Sequence, residues 1–269
     1  MSLIYNATFD KNTRKLSFED KAGNEIYSFT VPERGPAVDD ITKPLTFKAT
    51  QDRSAVSLDK HKYANGDFQT SRDGGNTWED YSLGTAITLN TGEEVSFRVK
   101  EDRSPYQYAM YPCRFEIRKG KIEAWHNVMS MYRRDDFATY DTAVGSVFAH
   151  LFENCPSLTK APVLPATTLA DSCYTYMFGG CQSLTKAPEL PATTLAINCY
   201  EGMFARCQSL KEVRIAATTT ATDALTDWLK DVPATGDFYC DPNATIFPTD
   251  SASGIPANWN RHNIADYPN

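Results

Sequence analysis

Residues 161–186 read APVLPATTLADSCYTYMFGGCQSLTK, and residues 187–212 read APELPATTLAINCYEGMFARCQSLKE. The two stretches are identical at 17 of 26 positions, without a gap. Self-similarity at a period of about 20 to 50 residues is typical of solenoids, propellers and other repeat arrays. One such unit cannot bury its apolar face alone, so consecutive units must stack. The repeat therefore predicts a solenoid in the C-terminal half of the chain.

Weaker copies of the unit flank these two stretches. The preceding copy keeps the apolar, cysteine and serine positions of the motif, and the following copy keeps its cysteine, serine and leucine before an alternating run. The matching residues are Leu151, Phe152, Cys155, Ser157 and Leu158 before the repeat, and Cys207, Ser209, Leu210, Val213 and Ile215 after it.

The first part of each unit has a helical spacing of apolar residues. Their intervals of 4, 4, 1 and 3 place them on one face of a helix. We expect Thr167 or Thr168 to cap the start of this helix, and the glycines at 179–180 to end it. The apolar residues are Leu169, Cys173, Met177, Phe178 and Cys181.

The rest of the unit, residues 183–190, carries an apolar residue at every third position and a proline, which predicts a short strand or extended run. A strand and a helix repeated every 26 residues describe a leucine-rich-repeat horseshoe. The sequence thus predicts a mixed β and α/β fold. N-terminal antiparallel β domains precede a short leucine-rich-repeat solenoid with 26-residue units.

The repeat resembles a known family more closely. Three copies of the motif F-x-x-C-x-S-L look like the core of BspA-like leucine-rich repeats, which occur in surface proteins of anaerobic gut and oral bacteria. The resemblance covers roughly residues 140–269. It implies presentation and binding, namely adhesion to host proteins, cells or other bacteria, and no catalytic residue. The similar segments start at Phe152, Phe178 and Phe204, and include LPATTLA at 164–170 and 190–196, GDFYC at 236–240 and SGIPANW at 253–259.

The seven cysteines fit this interpretation. Five of them recur at intervals of 26 residues, and no C-x-x-C pair supports a tetrahedral zinc site. We expect these thiols to be interior side chains that act as small hydrophobes, as the resemblance also implies. The sequence leaves open whether Cys113 and Cys240 pair. The recurring positions are Cys155, Cys181 and Cys207, and Cys173 and Cys199.

The N-terminal half has alternating rather than helical patterns. Three short runs separated by polar turns predict a β-meander at 1–36, and the prolines and glycine at 32–36 are the linker candidate. Six further runs predict a β-sandwich-like domain at 37–139. The repeat array with its C-terminal cap then occupies 140–269. The sandwich runs are residues 45–49, 55–58, 86–89, 95–99, 114–117 and 121–125.

The stretch SRDGGNTW at 71–78 matches the S-x-D-x-G-x-T-W Asp-box that is seen in sialidase propellers and in unrelated β-proteins. We expect Ser71, Asp73, Gly75 and Trp78 to build a tight turn. In it the Asp73 carboxylate accepts backbone N–H bonds, glycine permits a positive φ, and Trp78 covers the hairpin. Sialidases carry several copies and this chain has one, so the motif predicts a structural turn and not a glycosidase.

No arrangement of residues predicts catalysis, a metal site or a cofactor. His61, His126, His150 and His262 are scattered without metal-binding spacing, and there is no G-x-S-x-G, Walker or G-x-G-x-x-G motif. The acidic pairs at 39–40 and 135–136 are interpreted as solvated loop charge, because neighbouring residues point apart on a strand.

The composition disfavours two classes of partner. The chain has 27 basic and 34 acidic residues, a net charge of -7 and no Lys/Arg block, which disfavours nucleic acid and anionic membranes. No run approaches the roughly 18 apolar residues of a membrane span, so we expect no membrane insertion. Residues 1–10 lack the basic region and the following apolar region of a signal peptide. Either the protein stays in its cell, or a targeting segment was removed from this sequence.

If the protein binds a partner, the binding residues should lie where the repeats differ or on the strand side, which lines the concave face of a horseshoe. For the repeated tyrosines, packing between units is the favoured interpretation, and an aromatic ladder for a glycan is the alternative. The candidate binding residues are Thr159, Lys160, Thr185, Lys186, Lys211, Glu212, Tyr174 and Tyr200.

These observations predict a non-enzymatic, extracellular or cell-surface adhesion protein that binds a protein or glycan on a host or bacterial surface. The alternative is a virion protein, such as a phage tail fibre or receptor-binding subunit, whose N-terminal meander pairs between chains. A glycan-cleaving enzyme is the third hypothesis. The sequence specifies no oligomeric state.

Overall fold

The computed structural model describes residues 6–10, 15–19, 22, 25–30, 39–59, 68–102, 113–249 and 252–267. The chain divides into two compact units, Met1–Val38 and Asp39–Asn269. The first unit contains an antiparallel sheet with the order β1-β2-β3, as its alternating runs predict. Its strands are β1 (Asn6–Asp10), β2 (Lys15–Glu19) and β3 (Glu25–Thr30).

The second unit begins with a two-layer β structure. One layer has the order β10-β5-β8, and the other has the order β11-β4-β9-β6-β7. Alternate residues of the strands point inwards, and Phe47 of one layer meets Phe115 of the other at a centroid distance of 4.7 Å. The strands are β4 (Thr46–Ala49), β5 (Ser54–Asp59), β6 (Phe68–Ser71), β7 (Glu79–Tyr81), β8 (Ile87–Leu89), β9 (Glu94–Val99), β10 (Arg114–Lys119) and β11 (Ile122–Trp125).

The remainder of the second unit is a β-solenoid of about five turns. The predicted solenoid is confirmed, whereas the described residues do not show the predicted mixed β and α/β fold with a strand and a helix in each unit. Equivalent strands of successive coils pair in parallel: β11 with β13, β12 with β14, and β15 with β16 and then β17. The strands are β12 (Thr142–Ala143), β13 (Leu158–Lys160), β14 (Thr168–Leu169), β15 (Glu212–Arg214), β16 (Thr235–Cys240) and β17 (Asn258–Asn263), and the 3-10 helices are Val128–Met131 and Ile264–Asp266.

The α-helix predicted from Leu169 is wrong, since the described residues form no α-helix. Residues 170–181 form consecutive β-turns, and alternate N–H groups bond within the coil and to the next coil. The Thr175 N–H donates to the Ser172 carbonyl at 3.3 Å, whereas the Tyr174 N–H donates to the Cys199 carbonyl at 3.0 Å. We call this arrangement the turn ladder; it comprises residues 144–155, 170–181, 196–207 and 221–231.

The turn ladder explains why the spacing of apolar residues in this segment resembles that of an α-helix. Every fourth residue has a positive φ: 59° at Ser172, 52° at Tyr176 and 76° at Gly180. The backbone therefore repeats after four residues, and side chains four apart point the same way. An α-helix places residues three and four apart on one face, so the two structures share this spacing. They differ in the acceptors of the N–H groups, which the spacing of apolar residues does not specify.

The predicted burial of the cysteines is confirmed, since all seven are buried. Cys155, Cys181 and Cys207 each donate a thiol hydrogen bond to a carbonyl of the preceding layer, at 3.0 to 3.1 Å. Burial raises the pKa of Cys155 and of Cys207 to about 12, so these thiols stay protonated at neutral pH. Cys240 carries a free thiol, so it does not pair with Cys113.

The β layers and the coils share one hydrophobic core. Phe178 stacks on Phe152 and Phe204 at centroid distances of 5.4 and 5.7 Å, and Phe152 stacks on Phe115 of β10 at 5.3 Å. The Phe115 N–H also donates to the Leu151 carbonyl at 2.8 Å. Strand β10 thus acts as the platform on which the first coil stacks, and buried residues on both sides of residue 139 belong to one hydrophobic cluster.

The turn ladder and a helix predict opposite signs for substitutions at Ser172. At its φ of 59° a side chain is strained and glycine is not, so Ser172→Gly should raise the free energy of unfolding by about 0.5–1 kcal/mol. In a helix, Ser172→Gly would lower the free energy of unfolding by a few tenths of a kcal/mol, and Ser172→Ala would raise it. Urea unfolding of both variants measures the sign. Destabilisation by glycine together with stabilisation by alanine would contradict the ladder.

Candidate functional site

A groove with a volume of about 500 Å³ runs across the strand side of two successive coils. Equivalent stretches, 159–163 and 185–189, line it, and Asp39 and Tyr267 complete its walls. Its floor is formed by the buried alanines and prolines at 161–162 and 187–188. We call it the strand-face groove. It brings together four of the predicted binding residues: Thr159, Lys160, Thr185 and Lys186.

Lys160 lies at one end of the groove in a tight polar cluster. Its Nζ is 2.7 Å from Asp39 Oδ2 and 3.3 Å from the centroid of the Trp125 ring. Burial lowers the pKa of Lys160, against the opposing effect of the Asp39 carboxylate. Asp39 also accepts the His126 N–H at 3.0 Å. The amine is therefore held in place between a carboxylate and an aromatic face.

Lys186 occupies the equivalent position one coil later and is more open, with 58% of its side chain exposed. Its Nζ is 2.9 Å from Glu212 Oε1, and Tyr267 Oη donates to the same carboxylate at 2.6 Å. Two cations, Lys186 Nζ and the Arg214 guanidinium, each lie 4.7 Å from the centroid of the Tyr267 ring. The groove thus ends at an aromatic side chain that is fixed by charged neighbours.

The other predicted binding residues fall into two groups: polar side chains on the strand side, and tyrosines in the core. Thr159 Oγ1 donates to the Ile122 carbonyl at 3.1 Å, whereas the Thr185 and Lys211 side chains are exposed. Tyr174 and Tyr200 are each 1% exposed and stack on each other at 6.0 Å. Their rings fill the core between coils, so the packing interpretation describes them and they offer no surface to a glycan.

Some residues at the groove were not identified from the sequence, although the comparison of the repeats does point to Glu189. Glu189 forms a 3.0 Å ion pair with Arg214 and lies at one of the nine positions that differ between the two repeats, where binding residues are expected. Asp39, Trp125 and Tyr267 lie outside the repeats, so no periodicity connects them to Lys160 or Lys186. The parallel pairing of β11 with β13 brings Trp125 next to Lys160, and the return of the chain after β17 brings Tyr267 into the groove.

The turn at 71–78 connects β6 and β7. Asp73 Oδ1 accepts the Ser71 hydroxyl at 2.7 Å and the Thr77 N–H at 3.0 Å, and Oδ2 accepts the Thr77 hydroxyl at 2.7 Å. These hydrogen bonds, that of Ser71 first, hold the pKa of Asp73 far below its usual value. Gly75 has a φ of 95°, and Trp78 Nε1 donates to its carbonyl at 2.9 Å.

The acidic pairs are held by protein groups. Asp40 accepts two hydrogen bonds from Thr42, and Asp136 forms a 2.7 Å ion pair with Arg133. His126 Nδ1 accepts the Asp40 N–H at 3.1 Å. His262 Nε2 lies 2.7 Å from Asp237 Oδ1 and His150 Nδ1 lies 3.0 Å from Glu153 Oε2, whereas His61 is outside the described residues. No group of three or more metal-ligating side chains occurs among the residues that were placed.

No protein-family model, curated protein or solved structure matches this chain. Within the part of the chain that the structure describes, no helix has the length and apolar character that crossing a membrane requires.

The Asp73 carboxylate should make the stability of the 71–78 turn depend on pH. Its folded pKa lies below the unfolded value of about 3.9, so its contribution is complete above about pH 4 and is lost as the pH falls towards the folded pKa. Asp73→Asn should lower the urea midpoint at neutral pH, and its difference from the wild type should shrink in acid. Glu79→Gln, an exposed carboxylate on β7, is the control. A difference between wild type and Asp73→Asn that stays constant with pH would contradict this role.

Proposed function

We propose that this protein is a non-enzymatic recognition protein, displayed on a cell surface, that binds a protein or glycan partner through the strand-face groove. The observation that carries the proposal is the groove itself. It lies where the repeat presents equivalent side chains of two coils side by side. It combines a buried apolar floor with hydroxyl, ammonium and carboxylate groups at its rim.

The chemistry of the groove favours binding over reaction. Each of its two ammonium groups faces a carboxylate, Asp39 for Lys160 and Glu212 for Lys186. Such balanced pairs orient polar groups for a ligand and add specificity, with little net charge to raise general affinity. Concave clefts with an apolar lining and a few placed polar groups are typical ligand sites.

We also propose that the 26-residue repeats are related to BspA-like leucine-rich repeats. The repeated phenylalanine and cysteine of F-x-x-C-x-S-L are the stacked interior positions of the turn ladder, and the leucine is buried as well. This family would place the protein on the surface of a bacterium, where its partner is a host or bacterial macromolecule. The structural role of the motif supports the proposal, because all three copies do the same physical task.

The test compares two arginine variants of the full chain. Thr185→Arg places a long charged side chain in the groove from an exposed position, so folding should be unaffected. Gln182→Arg is the matched control, since Gln182 is exposed in the same coil and does not line the groove. Both variants and the wild type are applied to printed arrays of glycans and of extracellular-matrix and cell-surface proteins.

We expect Thr185→Arg to weaken binding to the array members that the wild type recognises by about tenfold or more, since one blocked contact in a small site costs about 1–3 kcal/mol. Gln182→Arg should bind as the wild type does. Equal binding by all three chains would remove the groove from the recognition surface. Failure of the wild type to bind any member would contradict recognition of these ligand classes.

A further inference from the structure

We propose that Lys160 and Asp39 join through an intramolecular isopeptide bond. The two residues are 121 positions apart in the sequence, and Lys160 Nζ lies 2.7 Å from Asp39 Oδ2. The bond would tie the start of the second unit to its solenoid. This inference concerns a covalent modification and does not require the proposed function. The bond would replace the charged pair at this end of the strand-face groove by an amide N–H and carbonyl, and would leave the Lys186–Glu212 pair charged.

The surroundings of this pair differ from those of an ordinary surface ion pair. Among the lysine–carboxylate pairs of the described residues, Lys160 has the least exposed lysine side chain, at 30%. The Trp125 ring lies 3.3 Å below its Nζ, which excludes water from one side. Partial burial favours the neutral amine over the ammonium, and the neutral amine is the nucleophile.

The carboxyl group is held for attack. Asp39 Oδ1 accepts the His126 backbone N–H at 3.0 Å, while Oδ2 faces the amine. A backbone N–H at Oδ1 stabilises the negative charge that develops there when the carboxyl carbon becomes tetrahedral. Oδ1 is therefore the oxygen that stays as the amide carbonyl, and Oδ2 is the oxygen that leaves.

We assign the transfer of the proton to Glu123, whose side chain has to turn from Trp125 Nε1 towards Lys160 Nζ to carry it. Glu123 is the cross-strand partner of Lys160 in the pairing of β11 with β13, and its Oε2 accepts the Trp125 Nε1–H at 2.9 Å. Its negative charge also acts on Lys160. The Glu123 carboxylate and the Lys160 amine thus both contact the Trp125 indole, the carboxylate at Nε1 and the amine over the ring.

The step balances without an oxidant or a further reactant. A proton passes from the ammonium of Lys160 to the Asp39 carboxylate, which leaves a neutral amine and a carboxylic acid. The amine lone pair attacks the Asp39 carboxyl carbon, the new C–N bond forms, and Glu123 removes a second proton from Nζ. The C–Oδ2 bond then breaks, and the hydroxyl leaves as water with the proton that Glu123 returns. Holding the groups in contact supplies the effective concentration that a condensation in water requires.

Lys186 provides an internal comparison. It pairs with Glu212 at 2.9 Å in the next coil, but 58% of its side chain is exposed and the nearest ring centroid, that of Tyr267, is 4.7 Å away. No isopeptide bond is expected there. Lys186→Arg is therefore the matched control for substitutions at Lys160.

The test is the intact mass of the denatured, reduced full chain. The wild type and Lys186→Arg should each be lighter than their sequences by one water molecule, whereas Lys160→Arg and Asp39→Ala should show no deficit. Lys160→Arg preserves the ion pair with Asp39, so its fold should match that of the wild type by circular dichroism. Glu123→Gln keeps both reacting groups and should leave most of the chain unlinked.

Tryptic digestion locates the bond. Trypsin does not cut after an acylated lysine, so the peptide of residues 35–48 should appear joined to that of residues 135–186. A wild type at its full sequence mass would overturn the proposal. So would a deficit that persists in Lys160→Arg, since the water would then come from another site, such as a succinimide at Asp73. Complete linkage in Glu123→Gln would overturn the role of Glu123 as the proton carrier.

Discussion

Hydrogen bonds from alternate amides of one coil to the carbonyls of the next hold the solenoid together. In the turn ladder, N–H groups two residues apart cross to the next coil, and those between them close β-turns within the coil. The segment has no regular secondary structure, yet this arrangement provides its backbone N–H groups with carbonyl acceptors. Buried backbone N–H groups require such partners. The arrangement also fixes the register between coils, so identical side chains must lie above one another. The stacks of phenylalanine and cysteine follow from that register.

The same register explains part of the variation between repeats. Gly202 replaces Tyr176 in the next coil, and a Cβ atom at Gly202 would overlap the Tyr176 ring. Likewise, a Cβ atom at Gly180 would press on the Asn154 side-chain oxygen. Differences between units therefore reflect the fit of neighbouring coils as well as exposure to partners. On the strand side the register has a further result: it places Lys160 and Lys186 at equivalent points of one groove, with different partners around each.

The sequence was sufficient to predict the stacked array and the buried cysteines, because both follow from the 26-residue period. The prediction of an α-helix was wrong, because a four-residue turn repeat and an α-helix share a spacing of apolar residues. Only the acceptors of the backbone hydrogen bonds distinguish the two structures. The candidate site was half predictable. Four residues followed from their place in the repeat. Tyr267 in the groove and Trp125 beside Lys160 are positioned instead by contacts between segments far apart in the chain. No local pattern encodes such contacts.

The most direct test of this account is the detection of scalar couplings across backbone hydrogen bonds by NMR in the deuterated full chain. The turn ladder predicts a correlation between the Tyr174 amide nitrogen and the Cys199 carbonyl carbon, and another between Phe178 and Met203. Correlations from Tyr174 to Ala170 and from Phe178 to Tyr174 would instead show the i to i−4 bonds of an α-helix. That result would contradict the ladder and the stacking that depends on it.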